Sequence, residues 1–157
     1  MQGISTCLWF DTEGEEAANF YTSIFKNSRI LGVSRYGEAG PRPAGTVMTV
    51  NFELDGQEFI ALNGGPEFKF NEAVSFQVNC YGQEEVDEYW DRLTEGGEPG
   101  PCGWLKDKYG VSWQITPTIL SELVNGPDPE KAQRAMSAML QMSKIDIQAL
   151  KDAYDGS

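Results

Sequence analysis

With no histidine among its 157 residues, the sequence leaves chemistry to carboxylates, amides, three thiols and a few lysines and tyrosines. A Ser-His-Asp triad, a Cys-His pair, an HExxH zinc site and imidazole-bound haem or copper are excluded, because each needs a ring nitrogen as base or ligand. Cys7 and Cys102 are nucleophiles in form only: a thiolate there needs Lys106, Arg92 or a helix N-terminus to lower its pKa, and an inert thiol is the simpler reading. Lys106, followed at once by Asp107, reads as a surface ion pair rather than a base. Asn63, just before Gly64-Gly65-Pro66, either reaches a pocket mouth or caps that turn. Neither this glycine pair nor Gly96-Gly97 sits in the strand-loop-helix context of a nucleotide or S-adenosylmethionine site, and turn chemistry accounts for both.

Charge narrows the partners. Twelve Lys+Arg against 24 Asp+Glu leave a net charge of -12, a surface that repels phosphate backbones and anionic lipid, so neither nucleic acid nor membrane is expected as a partner. The three cysteines are widely spaced, with no CxxC pair, a usage that fits a reduced, cytoplasmic protein. No apolar run approaches the roughly 20 residues of a membrane helix, and the opening Met-Gln-Gly-Ile-Ser lacks the basic start of a signal peptide.

The elements that must position these groups follow from periodicity. The run ISTCLWF (4–10) predicts a strand, and EEAANFYTSIF (15–25) an amphipathic helix with Ala17, Phe20, Tyr21, Ile24 and Phe25 on one face. Strands are predicted over 30–36, 46–54 and 58–62, the last two joined by a tight Asp55-Gly56 hairpin. The order then restarts with a strand over 74–80 and an acidic-capped helix over 84–93. Glu15-Glu16-Ala17 falls on Glu84-Glu85-Val86, Phe20-Tyr21 on Tyr89-Trp90 and Ile24 on Leu93 at one offset of 69 residues, which predicts an internal repeat. The second unit closes with a strand around Trp104, a turn at Asp107–Gly110 and a strand over 111–116. Beyond Pro117 the pattern is helical: a short segment over 118–124, a helix from Pro129 with an apolar stripe including Met136 and Met139, and a last helix through Tyr154 capped by Ser143 with Asp146. The expectation is an α+β fold of two βαβββ modules, 1–66 and 67–117, with a C-terminal helical extension, 118–157.

These paired units, with CLWFD, SFQVNC and the closing CGWLKDKYGVSWQI in order, resemble the vicinal-oxygen-chelate superfamily (glyoxalase/bleomycin-resistance/dioxygenase). Within it they are similar to the PhnB-like branch, often labelled 3-demethylubiquinone-9 3-methyltransferase. The resemblance spans residues 4 to about 117 and implies curved half-barrel sheets, a cavity and a homodimer. Catalytic members hold a divalent metal on inward His, Gln or Glu of the first and last strands. Those positions fall here on Thr6, within one residue of Cys7, on Ala73 or Ser75, and on Gln114, four residues after Gly110. One neutral amide holds a divalent ion weakly, so the resemblance implies neither metal nor cofactor, a weak site of Gln77, Gln114 and water being the alternative.

By the family's register Gln77 and Trp104 point inward. If Gln114 does, so do Ser112 and Thr116, while Trp113 and Ile115 face the helices. Thr6, Asn63, Ser75, Gln77, Trp104 and Gln114 are therefore the candidate ligand-binding residues, an amide-and-hydroxyl lining with one aromatic wall. Equally, the amides are core polars bonded to neighbouring strands and Trp104 a core aromatic. Tyr36, Phe68 and Phe70 flank loops that close over a ligand or pack on a partner subunit. The function implied is metal-free binding of a small molecule of unknown specificity. Alternatives are a metal-dependent lyase or dioxygenase, a methyltransferase, and a protein that sequesters a drug or metabolite.

Overall fold

A computed structural model describes residues 3–157; Met1 and Gln2, at the start of the stretch read as lacking a leader, lie outside them. The chain divides into two compact units, one ending at Phe70 and the other comprising Asn71–Ser157.

In the first unit β1 (Thr6–Phe10) leads into α1 (Gly14–Ile24), followed by β2 (Arg29–Arg35), β3 (Val47–Leu54) and β4 (Gln57–Asn63). The sheet order is β1-β4-β3-β2, with β1 parallel to β4 and the remaining pairs antiparallel. Alternation puts Leu8, Phe10, Val50, Phe52, Phe59 and Ala61 under α1, whose Ala17, Ala18, Tyr21 and Ile24 are buried against them. Tyr21 stacks on Phe52 at 6.3 Å and Phe52 on Phe59 at 5.4 Å. The β3–β4 hairpin turns at Asp55 (φ 49) and Gly56 (φ 80), the doubly left-handed turn that Asp-Gly favours.

The second unit repeats the plan: β5 (Ser75–Cys80), α2 (Gln83–Thr94), β6 (Glu98–Pro99), β7 (Trp104–Lys106) and β8 (Ser112–Pro117), ordered β5-β8-β7-β6 with β5 parallel to β8. Val86, Trp90 and Leu93 of α2 are buried, as are Leu105, Trp113 and Ile115 of the sheet. The short strand β6 carries no periodic signal, and it forms by pairing Glu98 with Lys106 and Pro99 with Leu105.

Three helices complete this unit: α3 (Ile119–Val124), α4 (Pro129–Met139) and α5 (Ile147–Asp155). Pro129 opens α4 and the Asp128 carboxylate accepts from the Glu130 and Lys131 amides. The last helix is capped by Asp146, which accepts from Ala149 N. Ser143 does not join that cap; its hydroxyl donates to Gly100 O at 2.6 Å. Among the described residues no helix is long and apolar enough to cross a membrane.

Candidate functional site

Register settles which side chains share a face. Across β5, β8 and β7, Gln77 pairs with Gln114 and Gln114 with Trp104; one row away Ser75 pairs with Ser112 and Ser112 with Lys106. Side chains at paired positions project to the same side, so Ser75, Gln77, Trp104, Lys106, Ser112 and Gln114 lie together, opposite the face that α2 covers. Four of the six candidate residues are thus brought together by this sheet. The Gln114 amide donates to Ser75 Oγ and the Gln77 amide to Asn79 Oδ1, both at 2.9 Å. Ser112 Oγ is buried and has no hydrogen-bond partner.

Thr6 and Asn63 are not on an equivalent face. Thr6 pairs with Phe59, and Phe10 with Asn63, which puts both candidates on the helix side of the first sheet, leaving Cys7 and Trp9 on the other. The cause is one residue of loop. The helices superpose at the offset of 69 (Ala17 on Val86, Ile24 on Leu93), but the helix-facing strand residues superpose at 70 (Leu8 on Val78, Phe10 on Cys80), because three residues join β1 to α1 and two join β5 to α2. A shift of one residue reverses a strand's faces.

Asn63 has a structural task. Its Oδ1 accepts from Gly14 N at 2.7 Å, its Nδ2 donates to Val47 O, and its carbonyl accepts from the buried Tyr36 hydroxyl. Glu13 offers α1 no side-chain cap, and the amide from β4 supplies one. The aromatic residues by the loops are likewise engaged inside the first unit: Phe68 meets Trp9 edge-on at 4.9 Å and Phe70 meets Phe10 at 5.2 Å, while Trp9 Nε1 donates to Gly65 O.

Lys106 does not pair with Asp107, since neighbours along a strand point to opposite sides. Its ammonium pairs with Glu72, which lowers the Glu72 pKa and raises that of Lys106 through hydrogen bonding and charge. Asp107 is buried: Oδ1 accepts from the Tyr109 and Val111 amides and Oδ2 from Trp113 Nε1 at 2.9 Å. Strand alternation alone contains the signal that separates these two residues.

A cavity of about 500 Å³ opens in this unit, lined by Trp104, Lys106 and Ser112 together with Glu72, Glu98 and the loop Gly100-Pro101-Cys102. It offers an aromatic surface, one cation between two carboxylates, and the Ser112 hydroxyl. A metal fits poorly. Among the described residues no three His, Cys, Asp or Glu side chains gather where they could hold one, and amides already bonded to Ser75 and Asn79 make a weak donor set for zinc, iron or nickel. The thiols are poorly disposed to attack: burial, then the nearby Glu85 charge, pushes Cys80 up to about 12, and desolvation raises Cys7.

The family described as 3-demethylubiquinone-9 3-methyltransferase matches residues 2–116. No curated protein matches the chain. Among solved structures, a PhnB protein of Bacillus cereus, whose name carries the same methyltransferase designation, is 42% identical with a TM-score of 0.67, covering 74% of this chain and all of its own. The Pseudomonas aeruginosa protein PA1353 is 19% identical (TM-score 0.61; 74% and 98% covered) and the fosfomycin resistance protein FosX of Listeria monocytogenes 18% (0.52; 78% and 98%), likenesses of fold alone. Two βαβββ units in an α+β fold and the match over residues 2–116 lead to one assignment: the chain belongs to the PhnB-like 3-demethylubiquinone-9 3-methyltransferase family.

Proposed function

We propose that the chain binds a small molecule on the amide-and-hydroxyl face of its second unit, without a resident metal. The observation that carries this reading is that Trp104, Lys106 and Ser112 line the cavity from the same side of the sheet on which Ser75, Gln77 and Gln114 lie beside them. A mostly apolar concavity with a few convergent polar groups is the usual form of a ligand site. The donor set supports a metal-free reading, and the family's methyltransferase designation has no support from a glycine-rich nucleotide loop in this chain. A cytoplasmic homodimer with no nucleic-acid partner completes the proposal, resting on the acidic surface, the unpaired thiols and family membership.

The test is native mass spectrometry of the purified protein for a co-purified compound. A retained small molecule, lost in Trp104→Ala, is the expected result; the variant weakens an aromatic ligand by about 1–3 kcal/mol. Retention unchanged by Trp104→Ala moves the site elsewhere. Metal content approaching one ion per chain after purification without added metal sinks the metal-free reading, and calorimetry with S-adenosylmethionine should give no heat.

A further inference from the structure

One buried group on this face is left without a partner, and it indicates what the ligand must carry. Ser112 lies in the wall of the cavity, its residue only 1% exposed and its Oγ unpaired. Its neighbours on the sheet are satisfied: Ser75 accepts from Gln114, and Lys106 pairs with Glu72. A buried hydroxyl without a partner is destabilising, and native proteins keep few of them. Directly across the β7–β8 ladder stands the Lys106 ammonium, with Glu98 opposite it on β6. Trp104 is on the same face, one row on.

Resting on the reading of this face as a ligand site, we infer that its ligand is a flat aromatic compound whose oxygen acceptor takes hydrogen bonds from the Ser112 hydroxyl and the Lys106 ammonium while its ring lies on Trp104. The two donors come from paired positions on adjacent strands and both line the cavity, whose volume of about 500 Å³ accepts one or two fused rings. Charge limits the acceptor. Glu72 and Glu98 together outweigh Lys106 at this wall, so a doubly charged phosphate is repelled, whereas a carbonyl oxygen or a single carboxylate is accommodated. Glu72 is more than half exposed, so a ligand carboxylate can replace it on Lys106 without stranding a buried charge.

Calorimetric titration of the intact protein with 2-acetylnaphthalene, 2-naphthoate, naphthalene and 2-naphthyl phosphate tests the inference. The ketone and the carboxylate should bind about tenfold more tightly than naphthalene, and the phosphate more weakly than the carboxylate. Ser112→Ala should reduce that preference, leaving only the share that Lys106 supplies, without weakening naphthalene, which has no acceptor. The free variant should melt no lower than the parent, because it loses an unpaired hydroxyl rather than a hydrogen bond. Ser112→Ala melting lower with the preference intact makes the hydroxyl structural and overturns the inference, as does a phosphate that binds best. If all four probes bind alike and Trp104→Ala weakens them all, the ligand-site reading stands and this inference alone falls. No binding of any probe to the folded protein at millimolar concentration also overturns it, while a co-purified compound sensitive to Trp104→Ala would still uphold the site.

Discussion

Asn63 is 5% exposed and both ends of its amide are used, one by the first amide of α1 and the other by Val47 O. Asn63→Ala leaves the Gly14 N–H without its cap and a strand carbonyl without its donor, and should cost about 2–3 kcal/mol in urea unfolding. Gly14→Ala should also destabilise, because its Cβ would stand 2.7 Å from Asn63 Oδ1; in the double variant the clash has gone, so the two costs should fall short of additive. Asp107 is the counterpart in the second unit. Asp107→Asn turns an amide NH2 toward groups that are all donors and should cost about 3 kcal/mol, with Trp113 fluorescence reporting the altered indole bond. The thiols give a check by pH: with its pKa pushed up to about 12, Cys80 is a protonated thiol throughout the neutral range. It should stay unlabelled by iodoacetamide in the folded protein at pH 8, while the exposed Cys7 reacts slowly. Rapid labelling of Cys80 would mean that α2 opens readily. From sequence alone Asn63 was readable only as a turn or pocket residue, since its decisive partner, Gly14, is distant along the chain.

The repeated βαβββ units were legible because periodicity of 3.6 and of 2 is written in the residues that become buried, from Ala17 and Tyr21 in α1 to Val86 and Trp90 in α2. The shared face of Gln77, Gln114, Ser75 and Trp104 came from the family's register rather than from periodicity, and strand pairing puts the four on one side of the second sheet. The resemblance located the first-strand position only to within one residue, Thr6 or Cys7, and one residue along a strand is the difference between its two faces: Thr6 lies on the helix side and Cys7 on the other. Strand β6 was invisible for another reason, because two residues carry no period and its position depends on close backbone approach. At Gly97 an added Cβ would come within about 3 Å of the backbone of Lys106 and Asp107. Gly97→Ala must therefore push β6 away from β7, and it should destabilise by about 1–3 kcal/mol. It should also disturb the Glu98 side of the cavity, seen as loss of amide protection at Lys106, whereas a stable variant with unchanged exchange would show that the edge strand is dispensable.

At the scale of the molecule, the C-terminal segment does more than follow the second sheet. The amides of Cys102 and Gly103, in the loop that forms one lip of the cavity, donate to Met142 O and Ser143 O, each at 2.8 Å, and the Ser143 hydroxyl returns to Gly100 O. Gln83 at the start of α2 donates to Ile145 O and accepts from Ile147 N, and Lys144 pairs with Asp87 at 3.0 Å. Residues 142–147 are thus joined to both the loop and the helix, with Ile145 fully buried beside Gly103. Ile145→Ala removes the apolar centre of this brace and should cost about 2–5 kcal/mol. If the brace also shapes the cavity, the amides of Cys102 and Gly103 should exchange faster by a factor that exceeds the change at Val50 and Phe52 in the first unit, and binding on Trp104 should weaken with them. Gln83→Ala gives the gentler version, cutting three hydrogen bonds, two of them to the brace and one to Asp87, without removing its apolar centre. Uniformly faster exchange in both units would mean that Ile145 contributes global stability only; faster exchange confined to the loop, with weaker binding, would mean that the helical extension sets the form of the site.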